Sequence, residues 1–230
     1  MNLHRLRTGP LSVNTYILPL SKNEAIVIDP ADCAFSSDEG SVLDYLSSKK
    51  LMPVAVILTH GHFDHISGLP SIKKAFPDIP VAIHKDDAAY IGENSSALQS
   101  ESLSQIGFTE FLPFVSNLPG QSHFLEDKKA LSDIFSDCDF SSDAEISLSR
   151  LRILHTPGHT EGSICLYDES GRVLFSGDTV FYHSWGRTDL TGGDERKIRG
   201  SLMRILDECD ERSEVYSGHD GSAFILGGNF

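Results

Sequence analysis

Short apolar runs bounded by turn residues recur along most of the chain, and their spacing predicts strands alternating with helices. Asn14-Thr15-Tyr16-Ile17-Leu18 and Glu24-Ala25-Ile26-Val27-Ile28 read as strands, the second stopped by Asp29-Pro30. From Gly40 to Lys50, Val42, Leu43 and Leu46 fall on one helical face. Pro53 opens a further strand through Val54-Ala55-Val56-Ile57-Leu58. Ser67 to Phe76 predicts a short helix with Pro70 in its first turn, Ile79 to Ile83 a buried strand, and Asp86 to Ile91 another short helix.

The pattern fades between about Glu93 and Ser149. Pro113, Pro119 and Gly120 interrupt it, and Ser and Asp are frequent from Ser132 to Ser147. This stretch reads as an irregular excursion carrying a helix or two, a surface insertion rather than a lid. Strands return at Leu151–Leu154, Ser163–Tyr167 and Arg172–Phe175. Glu195 to Cys209 predicts an amphipathic helix with Ile198, Leu202, Ile205 and Leu206 as its apolar stripe, and Glu214–Tyr216 a last strand. The alternation predicts a single α/β domain over 1–230 with helices outside the sheet.

Composition narrows the partners. The 230 residues include 19 Lys+Arg against 33 Asp+Glu, a net charge of −14, which disfavours nucleic acid and anionic membrane, because phosphate binding draws on clustered cations. Cys33, Cys138, Cys165 and Cys209 form no C-x-x-C pair, so neither a zinc ribbon nor a disulfide framework is expected. The first residues lead to no long apolar stretch and no segment matches a membrane span, so a cytoplasmic setting is the expectation.

The chemistry is concentrated where the Val54–Leu58 strand ends, in His60-Gly61-His62-Phe63-Asp64-His65. Single histidines are mostly surface or core residues, but four strong ligands in six positions are a different case. In extended backbone, residues two apart point the same way, so His60 and His62 converge on one ion. If the chain then turns, Asp64 and His65 address a second. Imidazole suits zinc, iron and copper, and carboxylate extends the range toward manganese. Three later loops repeat the logic: His155-Thr156-Pro157-Gly158-His159, Ser176-Gly177-Asp178 and Ser217-Gly218-His219 each follow a predicted strand and place a ligand beside a glycine.

Taken together, H60-x-H62-x-D64-H65 followed by His159, Asp178 and His219 resembles the metallo-β-lactamase superfamily. T-H-G-H-F-D-H, H-T-P-G-H-T, F-S-G-D-T and G-R-T-D-L resemble its glyoxalase II-like, hydroxyacylglutathione hydrolase branch. The resemblance implies a four-layer αββα sandwich with two divalent metal ions, zinc foremost and iron or manganese as alternatives. It assigns His60, His62 and His159 to the first metal, Asp64, His65 and His219 to the second, and Asp178 to both. Catalysis would fall to Asp64 and Asp178 with a metal-bound hydroxide, and the partner would be a small-molecule thioester met by a monomer or homodimer.

Around this set, Asp29 and Thr59 are expected to brace the ligand loops. Tyr182 and Trp185 are candidates for an apolar lip, His183 for a substrate contact, and Arg187 for bracing its loop through Asp189. His155 is read as structural. Two departures from the branch stand out. Only 11 residues follow His219, leaving no C-terminal helical domain for glutathione, and the tail lacks a G-P-x-T-T-I pattern. The alternative is a persulfide dioxygenase-like oxidoreductase with one iron on His60, His159 and Asp178. A lactonase or β-lactamase would use the same two-metal chemistry.

Overall fold

The computed structural model describes residues 3–93 and 95–229. The N-terminal half builds a six-stranded sheet from β1 (His4–Thr8), β2 (Val13–Pro19), β3 (Glu24–Ile28), β4 (Met52–Ile57), β5 (Val81–His84) and β6 (His123–Leu125), in that spatial order. The first three strands pair antiparallel and the rest parallel. Between them lie α1 (Ser41–Lys49), α2 (Phe63–Ile66), α3 (Leu69–Ala75), α4 (Ser95–Gln105) and α5 (Leu112–Val115). After α6 (Leu131–Ile134) and α7 (Ser142–Ser149), a second sheet comprises β7 (Leu151–His155), β8 (Ile164–Asp168), β9 (Val173–Gly177), β12 (Glu214–Ser217) and β13 (Phe224–Ile225), in the order β13-β12-β9-β8-β7. A hairpin of β10 (Val180–Phe181) and β11 (Ser184–Trp185) and the long α8 (Glu195–Glu208) complete it.

Period-2 alternation decides the layers. On β3 and β4, Ile26, Ile28, Ala55 and Ile57 face the second sheet, where Ile153, Leu166 and Phe175 meet them. Their neighbours Ala25, Val27 and Val56 face outward onto Val42 and Leu46 of α1 and Leu69 and Ile72 of α3. On the far side, Leu154, Tyr167, Leu174 and Val215 are covered by Ile198, Leu202 and Ile205 of α8. Strands buried on both faces are apolar throughout, which is why they stand out as runs. The architecture is the expected αββα sandwich.

The 93–149 stretch corrects the sequence reading. It is not an irregular surface insertion: it carries α4 to α7 and the edge strand β6. Leu103, Phe111 and Val115 join the outer core, and Leu131, Phe135, Ala144 and Leu148 enter the core between the sheets. Its periodicity was weak because α4 buries Ser95, Gln99 and Ser102 beside Leu103, so burial and hydrophobicity do not coincide. Two smaller corrections follow. The segment predicted as a helix over Asp86–Ile91 is a 3-10 helix over Lys85–Tyr90, and β1 lies ahead of the first predicted strand.

The outer layer over the second sheet rests on few side chains. Ile205→Ala is expected to cost about 2–5 kcal/mol through lost burial and the cavity left behind, read as a lower thermal midpoint of the metal-loaded protein with unchanged metal content.

Candidate metal centre

The predicted ligands come from loops at the ends of strands in both sheets. β4 runs through Leu58 and Thr59 into His60 and His62, and α2 carries Asp64 and His65 on one helical turn. His159 follows β7, Asp178 follows β9 and His219 follows β12. Donor atoms of His60, His62 and His159 lie within 4.8 Å of one another, and so do those of Asp64, His65 and His219. Asp178 stands between the groups. Its Oδ2 is 3.5 Å from His159 Nε2 and 3.4 Å from His219 Nε2, and its Oδ1 is 3.4 Å from His65 Nε2. All but the half-buried His219 are buried.

Neighbouring groups set the tautomers. Thr59 donates its backbone N–H and its hydroxyl to Asp29, at 2.7 and 2.6 Å. With that proton committed, Thr59 Oγ1 accepts from His60 Nδ1 at 3.1 Å, which turns the Nε2 lone pair of His60 inward. His65 Nδ1 donates to Asp29 at 2.9 Å, and His159 Nδ1 to the Arg187 carbonyl at 2.8 Å, with the same result. Asp29 holds this position in the left-handed region, φ 51°. That costs roughly 1–2 kcal/mol, and each charge-assisted bond offsets about 1.5–3 kcal/mol.

The arrangement fits metal. His60 Nε2 and Asp178 Oδ1 are buried without a hydrogen-bond partner. His62 Nδ1 lies 2.8 Å from the unprotonated His159 Nε2; two ring nitrogens this close need a proton or a cation between them. Buried orphan donors that converge on common points are what a cation would satisfy.

Charge divides the two clusters. Burial holds His60 well below the usual imidazole range, with His65 and His159 adding repulsion, and pushes His62 down to about 3 and His159 downward. Burial also opposes a charge on His65 and His219, but Asp178, with Asp64, outweighs it. His65 is held well above its ordinary value and His219 at about 10. Burial likewise disfavours the carboxylates of Asp64 and Asp178, yet those two imidazoles keep both ionised.

Three braces escaped the sequence reading. Buried Asp87 accepts from Gly61 N at 2.8 Å, Thr160 Oγ1 at 2.6 Å and Gly162 N at 2.7 Å, tying the His60 loop to the His159 loop. Gln99 donates to the Gly61 carbonyl at 3.1 Å. Asn14 and Tyr16 donate to the Ser217 carbonyl at 2.9 and 2.7 Å, clamping the His219 loop to the first sheet. Nothing in the sequence sets these polar residues apart: Asn14 and Tyr16 lie in β2, Asp87 follows β5 and Gln99 lies in α4. Gly218 is required by space, since a Cβ there would stand 2.1 Å from Asp178 Oδ1 and 2.7 Å from His65 Cε1.

A cavity of about 480 Å³ opens over the ligands. Leu11, Ile106, Phe181 and Leu190 supply apolar wall, and Tyr182, Ser184 and Arg187 supply polar groups. Tyr182 and Arg187 are therefore at the site, and Arg187 is also braced by Asp189 at 2.7 and 2.9 Å. His183 and Trp185 are not in the cavity wall, contrary to the sequence reading. The strained His183 (φ 53°) turns its ring to the Asn229 carbonyl at 2.9 Å, and Trp185 lies under the Arg199 guanidinium. His155 contacts the Glu161 carbonyl at 2.9 Å and stays outside both clusters.

Two outcomes follow. Asp29→Asn should weaken metal uptake roughly 10–100-fold, the usual cost of losing an orienting partner, measured by chelator competition. Because Asp178 and Asp64 favour the charged forms of His65 and His219, a metal must compete with protons there, whereas burial already favours the neutral forms of His60, His62 and His159. Uptake at the Asp64 cluster should therefore strengthen as pH rises and fail first as pH falls, with proton release measured by calorimetry in buffers of different ionisation enthalpy.

Comparisons with known proteins agree with this geometry. The metallo-beta-lactamase superfamily model matches residues 8–214. The probable metallo-hydrolase YqgX of Bacillus subtilis (strain 168) is 29% identical over 228 residues, covering 98% of this chain and 93% of the relative. A hydroxyacylglutathione hydrolase of Nitrosomonas europaea is 30% identical over 196 residues, 85% of this chain and 55% of that protein. The crystal structure of BLEG-1 B3 metallo-beta-lactamase superimposes with a TM-score of 0.77 at 29% identity, covering 97% and 94% of the two chains. That of TTHA1623 in a di-iron-bound form gives 0.71 at 27%, with the same coverage. This chain belongs to the metallo-β-lactamase superfamily and carries the paired His/Asp metal-binding clusters of a metallo-hydrolase.

Proposed function

We propose that the protein hydrolyses small acyl thioesters, of the S-2-hydroxyacyl-glutathione type, at a two-metal centre. One observation carries this reading: both ligand clusters are complete, with Asp178 in reach of each. Two divalent ions, zinc in preference to iron or manganese, would supply carbonyl polarisation and water activation at neutral pH.

The chain's own residues do the rest. His60, His62 and His159 present neutral nitrogens, while Asp64 and Asp178 stay ionised and balance cationic charge. Asp64 lines the cavity, its Oδ2 3.4 Å from His219 Nε2, where it is placed to take up a proton from attacking water. Leu11, Ile106, Phe181 and Leu190 exclude water and hold the apolar part of an acyl chain. Tyr182, Ser184 and Arg187 are available to the polar part. The cavity volume suits a small-molecule substrate, and no side-chain nucleophile is needed. The likeness to a hydroxyacylglutathione hydrolase supports the thioester class.

The persulfide dioxygenase-like alternative needs one iron on His60, His159 and Asp178. It would leave Asp64, His65 and His219 idle, although His65 is oriented by Asp29 as firmly as His60 is through Thr59.

Fully metallated protein should cleave S-lactoylglutathione faster than a lactone, a β-lactam or glutathione persulfide, and lose that activity on chelation and in Asp178→Ala. Absence of thioester turnover with both metal equivalents bound rules the proposal out. Oxygen uptake on the persulfide with one iron per chain would establish the alternative.

A further inference from the structure

A third group of donors lies away from the cavity, where the edge strand β6 meets the link between α6 and α7. His123 Nε2 is 2.9 Å from Asp137 Oδ1 and 4.0 Å from Cys138 Sγ, and Sγ is 3.7 Å from the same carboxylate oxygen. The other ring nitrogen, Nδ1, is held by Ser122 Oγ at 2.8 Å, so Nε2 faces the carboxylate and the thiol. We propose that His123, Asp137 and Cys138 form a binding site for zinc, separate from the paired clusters.

The geometry distinguishes this from a nucleophilic cysteine. In a thiol–imidazole–carboxylate relay the acid orients one ring nitrogen and the thiol meets the other. Here Asp137 and Cys138 share Nε2, so the imidazole has no free base to offer the thiol. A chelate needs the opposite arrangement, three donor atoms around one point. A triangle with those three sides has a centre roughly 2.1 Å from every corner, close to zinc–nitrogen and zinc–oxygen bond lengths, and a shift of about 0.2 Å within its plane, away from the sulfur, lengthens the sulfur distance toward about 2.3 Å while nitrogen and oxygen stay at about 2.0 Å.

The donor types agree, since sulfur with nitrogen and oxygen is a zinc set. Cys138 is partly exposed, whereas Cys33, Cys165 and Cys209 are buried. His84, Asp86 and His155 also bring donor atoms together, but those two rings stack 4.0 Å apart at 13°. Stacked imidazoles aim their in-plane lone pairs along parallel planes and do not converge.

Three protein ligands leave an open, solvent-facing position, so the ion would exchange readily. It would tie the exposed edge strand to the segment that carries Phe135 and Leu148 into the core between the sheets. On binding, the thiol gives up its proton to solvent and the sulfur forms the metal bond, with no change of oxidation state.

Cobalt(II) added to reduced, metal-loaded protein tests this directly, because neither paired cluster contains sulfur. A near-ultraviolet thiolate-to-cobalt charge-transfer band should appear at one equivalent per chain, and zinc should displace it. Cys138→Ser and Asp137→Asn should abolish or weaken the band without changing the metal content of the paired clusters. Maleimide labelling of Cys138 should be suppressed by zinc in the parent protein. No thiolate band at saturating cobalt, or a band that survives in Cys138→Ser, overturns the proposal. Neither result bears on the thioesterase reading.

Discussion

The constraint on which the rest depends is the burial of six titratable side chains, with His219 at their edge, in one water-poor seam. Imidazoles and carboxylates so placed are tolerable only when each charge meets an opposite one or a metal, and each polar atom has a partner. The protein meets this by pairing Asp64 and Asp178 with His65 and His219, while burial keeps His60, His62 and His159 neutral. Polar atoms of the ligands themselves, His60 Nε2, His62 Nε2 and Asp178 Oδ1, remain orphaned.

That constraint explains the loops. Each ligand loop follows a strand packed into the sandwich, so its start is fixed by packing, and the His60, His159 and His219 loops are held further on by a carboxylate or amide elsewhere in the fold. Asp29 sets His65 directly and His60 through Thr59; Asp87 binds the first loop to the His159 loop across the two sheets. The metal-binding surface is therefore an interface between the halves of the sandwich. A substitution that shifts one sheet against the other disturbs both clusters, even far from the cavity.

The sequence carried most strands of both sheets because they are largely apolar, and α8 because its stripe is separated from a charged surface. It carried the ligands because they are crowded, glycine-flanked and at strand ends. It did not carry α4, whose buried face includes Ser95, Gln99 and Ser102, or β6, a three-residue edge strand. Nor did it carry Asp87 and Gln99, since a polar residue that braces a loop looks like any other polar residue until its partner is placed.

Residue types and spacing alone indicated an α/β domain and a dense metal-binding ligand set with His60 and His62 on one side and Asp64 and His65 on the other, and the family resemblance added the αββα sandwich. Tertiary structure decided how His60, His65 and His159 are oriented by their partners, that Arg187 and Tyr182 border the cavity while His183 and Trp185 turn away, and that His123, Asp137 and Cys138 converge. The reason is physical. Periodicity and local ligand density are properties of short segments, whereas hydrogen-bond direction and charge balance exist only between segments that folding brings together.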